Sequence, residues 1–147
     1  MFEEGTLLYI TPFYFINGAN PENKFFICLK KDHSDSIILS LPTSQDKIPS
    51  YHDLVHGCND IEKAQQCSYC FLEKKIITHD TNFSFEKDTF LFGSDIQKID
   101  SSLLTSKYKT EGVDYVIKGK LTNDEFNSII ECFKSSKSVA RKIKNML

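Results

Sequence analysis

The chain has 147 residues, 40% of them hydrophobic and 26% charged, with a net charge of −2. That is enough for a single domain with a sizeable core, and it excludes a disordered chain. It also argues against a protein that grips duplex nucleic acid by bulk positive charge. No run approaches the ~18 apolar residues of a membrane span, and the acidic start Met1-Phe2-Glu3-Glu4 is the wrong flank for a secretion signal. A cytoplasmic protein with no membrane partner is expected.

The charge is unevenly spread. Residues 1–100 carry 9 basic and 15 acidic side chains, whereas residues 101–147 carry 9 and 5. Any surface for a polyanion should therefore include the C-terminal third. Of 18 basic residues, 17 are lysines and only Arg141 is an arginine. The five cysteines, Cys28, Cys58, Cys67, Cys70 and Cys132, are odd in number and are expected as reduced thiols.

In chain order, Gly5 precedes a β-branched and aromatic strand, Thr6–Ile10, which Pro12 should end. Residues 17–23 hold Asn-Gly and Asn-Pro and no apolar rhythm, so they read as a long loop. Phe25–Leu29 is a continuous apolar run, consistent with a strand buried on both faces. Ile37–Leu41 is a third strand, stopped by Pro42. Three strands within about 40 residues suggest an antiparallel meander or a small barrel. The polar stretch 50–87 reads as an inserted segment whose best strand is Ser68–Leu72. Strands are expected again at Thr89–Phe92 and Val113–Ile117. Thr122 and Glu125 form a capping box. Phe126, Ile129, Ile130 and Phe133 then make one helical stripe. Beyond Ser135-Ser136, Val139, Ile143, Met146 and Leu147 point to a second helix with Lys137, Arg141, Lys142 and Lys144 on its polar side. The fold class is mainly β (α+β): one domain, 1–147, with a β-barrel or twisted sheet closed by one or two C-terminal helices.

Gly-x-Ser-x-Gly, P-loop and dinucleotide fingerprints are all missing, and the six glycines are isolated. His52, His56, Cys58, Cys67 and Cys70 place five soft ligands within 19 residues, the donor types zinc selects. Against a zinc site, there is no second Cys-x2-Cys, and a strand through Cys67–Leu72 points Cys67 and Cys70 to opposite faces. Buried thiols and loop histidines are the reading adopted, with no metal or cofactor expected; a zinc-stabilised interaction surface is the minor alternative. More informative is Lys24, at the end of the polar loop, and Pro42-Thr43-Ser44-Gln45, where the third strand ends. If these strands pair as antiparallel neighbours, both segments reach the same sheet edge. One ammonium beside two hydroxyls suits RNA cleavage: the hydroxyls hold a phosphate oxygen or the 2′-OH, and the cation stabilises charge at phosphorus.

Gly5–Phe13, the Gly/Asn loop, Lys24 with its apolar strand, and Leu41-Pro42-Thr43-Ser44-Gln45 together resemble the opening of the PemK/MazF-type toxins, growth-inhibiting ribonucleases of bacterial toxin–antitoxin pairs. Asp88–Asp100 and the Gly119-Lys120-Leu121-Thr122 turn before the helix are similar to later elements of that family. The resemblance implies a small SH3-like (PemK-like) barrel and a metal-independent endoribonuclease acting on single-stranded RNA. It further implies a homodimer and a cognate antitoxin protein that blocks the RNA groove. Lys24 would be the cationic catalytic group, where the family usually has arginine, with Thr43 or Ser44 as the hydroxyl beside it. Asn17, Gly18, Asn20 and Asn23 in the loop, with Gln45, would contact RNA, and the basic C-terminal segment would flank the groove. Lysine keeps the charge but loses the planar fork that grips phosphate twice. A non-cleaving RNA- or protein-binding module on the same fold is the alternative implied by that replacement, and a gyrase-directed toxin shares the fold.

Overall fold

The computed structural model describes residues 3–14, 17–32, 36–44 and 53–147. Eight strands and three helices follow in the order β1 (Thr6–Phe13), β2 (Glu22–Lys31), β3 (Ser36–Ser40), β4 (Gly57–Ile61), β5 (Gln66–Phe71), β6 (Thr89–Phe92), β7 (Gln97–Asp100), α1 (Ser101–Lys107), β8 (Tyr115–Lys120), α2 (Asn123–Ser135) and α3 (Arg141–Met146). The expected antiparallel meander is present: β1 pairs with β2, and β2 with β3.

These strands form two antiparallel sheets. One has five strands in the order β7-β3-β2-β1-β8, the other three in the order β4-β5-β6. They meet where the chain leaves β3. Thr43 N–H donates to Phe90 O at 3.0 Å, and Phe90 N–H donates to Thr43 O at 2.8 Å. β7 and β8 are the outer strands of the larger sheet rather than neighbours, so the described strands do not close a barrel.

Burial explains why this arrangement is stable. β2 carries alternate residues into two cores. Ile27 and Leu29 pack with Tyr69, Phe71 and Leu91 of the smaller sheet and Ile129 and Phe133 of α2. Phe26 and Cys28 pack on the opposite face with Leu8, Ile10, Leu39, Leu104 and Tyr108. A strand buried on both faces needs the continuous apolar run that Phe25–Leu29 supplies. Burial also pushes the Cys28 thiol up to about 12.

Several local expectations are corrected. β1 runs through Pro12 to Phe13, because the register shift between Ile10 and Phe13 places the proline at an irregularity where its missing N–H is not needed. β2 begins at Glu22, which shortens the polar loop. The strand expected at 113–117 lies at Tyr115–Lys120. Val113 is 70% exposed, in a turn where Val113 N–H donates to Thr110 O. α1 was not expected. It starts because the Asp100 side chain accepts from Ser102 N–H at 2.8 Å, and it buries only Leu104. The capping box of α2 is half made. Thr122 accepts from Glu125 N–H at 3.2 Å, but Thr122 N–H donates to Ile77 O and Glu125 turns to His56. No helix among the described residues is long and apolar enough to cross a membrane.

Candidate functional site

A cavity of about 480 Å³ opens at the end of the larger sheet, where the two sheets join. It is lined by residues from four places in the chain: Tyr9 of β1; Glu22, Asn23, Lys24 and Phe25 of β2; Pro42, Thr43 and Ser44 after β3; and Phe85 and Thr89 before and in β6. Antiparallel reversal puts the start of β2 and the end of β3 at one edge, and the Thr43–Phe90 bridge holds the latter in place. Lys24, Thr43 and Ser44, the three residues singled out for catalysis, therefore share one wall.

Lys24 Nζ lies 3.5 Å from a Glu22 carboxylate oxygen; the lysine side chain is 22% exposed and the glutamate 61%. An ion pair this exposed contributes at most about 1 kcal/mol, so a phosphodiester oxygen can take Glu22's place on the ammonium at little cost. Thr89 is committed elsewhere, its hydroxyl donating to Lys87 O at 2.8 Å. Aromatic rings form the cavity's other side. Tyr9 and Phe25 have ring centroids 4.8 Å apart, Phe25 meets Phe85 edge-on at 4.9 Å, and Lys118 Nζ lies 5.8 Å from the Tyr9 ring centre. Half-buried Tyr9 and Phe25 offer faces on which a base can stack.

The proposed RNA-contacting residues divide. Asn23 lines the cavity. Asn17, Gly18 and Asn20 are exposed on the preceding loop and do not line it. There, Asn17 Oδ1 accepts from Ala19 N–H at 3.0 Å, and Gly18 has a φ of +77° that suits glycine. Gln45 lies outside the described residues. Lys137, Arg141, Lys142 and Lys144 do not line the cavity, and Lys137 pairs with Glu62 at 3.7 Å. Tyr9, Glu22, Phe25, Phe85 and Thr89 line the cavity without having been singled out by the sequence. Glu22 was hidden because residues 17–23 read as a loop; only with β2 starting at Glu22 do residues 22 and 24 share a face. Phe85 was hidden because only the tertiary fold brings it to β2.

The soft-ligand segment is rearranged relative to expectation. His52 lies outside the described residues. His56 has both ring nitrogens engaged: Nδ1 accepts from Leu72 N–H at 3.1 Å, and Nε2 donates to Glu125. Cys70 packs with Phe90 and Phe92, on the face of β5 opposite Cys67. The expectation of five reduced thiols is also corrected. Cys58 and Cys132, 74 residues apart, form a disulfide, with buried Cys67 beside it. Beside Glu125, Tyr69 is buried, and desolvation foremost and then the carboxylate push its hydroxyl well above the ordinary range.

No protein-family model, curated protein or solved structure matches this chain.

Proposed function

We propose that the Lys24 cavity binds single-stranded RNA and cleaves it, as an endoribonuclease of the PemK/MazF type. One observation carries the reading. A cation, two hydroxyls, a carboxylate and stacking rings, drawn from distant parts of the chain, line a single cavity of about 480 Å³. That volume suits one or two nucleotides rather than a duplex.

The chemistry follows from the donor set. The Glu22 carboxylate takes the proton of a ribose 2′-OH. The 2′-oxygen then attacks the adjacent phosphorus, and the bond from phosphorus to the 5′-oxygen breaks. Lys24 stabilises the negative charge on the phosphoryl oxygens, and Thr43 and Ser44 donate hydrogen bonds to them. The departing 5′-oxygen takes a proton from water, and the hydroxide left behind recovers the proton from Glu22. The products carry a 2′,3′-cyclic phosphate and a 5′-hydroxyl, and none of these steps requires a metal. On this reading the two joined sheets correspond to an SH3-like barrel. The chain works in the cytoplasm as a homodimer, and a cognate antitoxin blocks the groove.

A non-cleaving RNA-binding module is the second reading. The observation in its favour is that the site's cation is a lysine already paired with Glu22, which holds phosphate as a point charge only. Induced expression in cells, with and without Lys24→Ala, tests the toxin reading. Wild type is expected to arrest growth and Lys24→Ala to relieve the arrest. A wild type without effect, or a variant equally toxic, overturns it.

A further inference from the structure

The geometry points to a second site: in the reduced protein, Cys58, Cys67 and Cys132 form a three-thiolate centre for a soft divalent ion of the zinc class. Their sulfurs come from β4, β5 and α2 and all lie within 4.8 Å of one another. Cys67 Sγ and Cys132 Sγ are 3.6 Å apart. Tetrahedral zinc with bonds of about 2.3 Å to sulfur needs ligands roughly 3.8 Å apart, close to that spacing. Three sulfurs arranged as a triangle leave the fourth position to solvent or a small ligand, as zinc sites with three protein ligands do.

The surroundings suit an ion as well as the donors do. A cavity of about 460 Å³, lined by Cys58 and Cys132 together with Glu131 and Ser135, gives the ion a route in from solvent. On the buried side, the Ser136 hydroxyl lies beside Cys67 and donates to the Asp60 carboxylate at 2.8 Å, so an acidic group stands behind the sulfurs and adds to the attraction for a divalent cation. This donor set differs from the one the sequence suggested. Cys132, 65 residues from Cys67 and on a helix, replaces Cys70 and both histidines.

The Cys58–Cys132 disulfide is then the metal-free, oxidised form of the centre. A phosphine or thiol reductant supplies two electrons, the S–S bond breaks, and each sulfur takes a proton. Binding the ion releases those protons and the one on Cys67. A disulfide oxidant such as oxidised glutathione takes two electrons from the Cys58 and Cys132 thiolates and is itself released as two thiols; the S–S bond re-forms and the ion is expelled, which couples occupancy to thiol redox state.

The test uses the full chain, reduced with a phosphine and passed through a desalting column after zinc addition. Cobalt(II) serves in parallel as a spectroscopic stand-in. Reduced wild type is expected to keep one zinc per chain and to show a sulfur-to-cobalt charge-transfer band of three-thiolate intensity. Oxidised wild type should keep none. Cys67→Ser removes a direct ligand and should weaken binding at least as much as the roughly 10–100-fold that loss of an outer-shell partner costs, while Cys70→Ser, on the other face of β5, leaves it unchanged. Circular dichroism establishes that both variants are folded. Zinc below about a tenth of an equivalent in reduced wild type overturns the proposal. So does a Cys67→Ser variant that binds like wild type, or a loss on Cys70→Ser equal to that on Cys67→Ser.

Discussion

At the scale of residues, Asp100 shows how one side chain redirects the backbone. Its carboxylate accepts from both the N–H and the hydroxyl of Ser102, so the chain leaves β7 and turns at once into α1. Those bonds, the hydroxyl's first, hold the Asp100 carboxyl below its ordinary 3.8. A depressed carboxyl contributes stability above its ordinary value and loses it as pH falls through the folded-state value. Asparagine caps as well as aspartate but does not titrate. The gap in thermal stability between wild type and Asp100→Asn should therefore shrink or reverse from about pH 5 to pH 2. A gap constant with pH, followed by calorimetry, would contradict this. Glu22 poses the corresponding question in the cavity. If it is the base, Glu22→Gln should slow RNA cleavage by roughly 10²–10⁴ while leaving RNA affinity equal or higher. An unchanged rate would assign the proton transfer elsewhere.

At the scale of elements, α2 fastens the smaller sheet to the larger one. Ile129 and Phe133 are fully buried against Tyr69, Phe71 and Leu91, and these two were legible in the sequence because a helical stripe is a local signal, whereas Cys132, buried beside them, lay outside the stripe. Phe133→Ala should cost about 3–5 kcal/mol, whereas Thr122→Ala, which removes only the cap, should cost ~1 kcal/mol. Chemical denaturation of the two variants separates these figures, and equal losses would show that α2 is not held by its buried face. β8 is held differently. Gly119 has a φ of +146°, and a Cβ there would run into Thr78 and Thr81, whose loop bonds to the strand through Thr81 and Asp80. Gly119→Ala should therefore destabilise the protein by at least about 1 kcal/mol. α1 and the start of β8 were not legible from local periodicity. Asp100 ends β7 and caps α1 at once, with no apolar stripe after it to announce a helix, and Val113 alternates like a strand residue although it sits in a turn.

At the scale of the whole molecule, sequence signals worked where contacts are near in the chain and failed where they are far. The β1-β2-β3 meander follows from local periodicity. Its antiparallel reversal was enough to place Lys24 near Thr43 and Ser44. The second sheet, the aromatic wall from Phe85, and the meeting of Cys58 with Cys132 across 74 residues depend on packing that no spacing rule encodes. The opposite pointing of Cys67 and Cys70 was legible from strand geometry, yet the partner that Cys67 does meet was not. RNA cleavage at the Lys24 cavity is tested most directly by incubating purified wild type and Lys24→Ala with a mixed-sequence single-stranded RNA and identifying the product ends by mass spectrometry. Wild type should give fragments ending in 2′,3′-cyclic phosphate and 5′-hydroxyl, and Lys24→Ala a rate lower by roughly 10²–10³. RNA left intact by wild type, or cleaved equally fast by the variant, would contradict cleavage at this cavity.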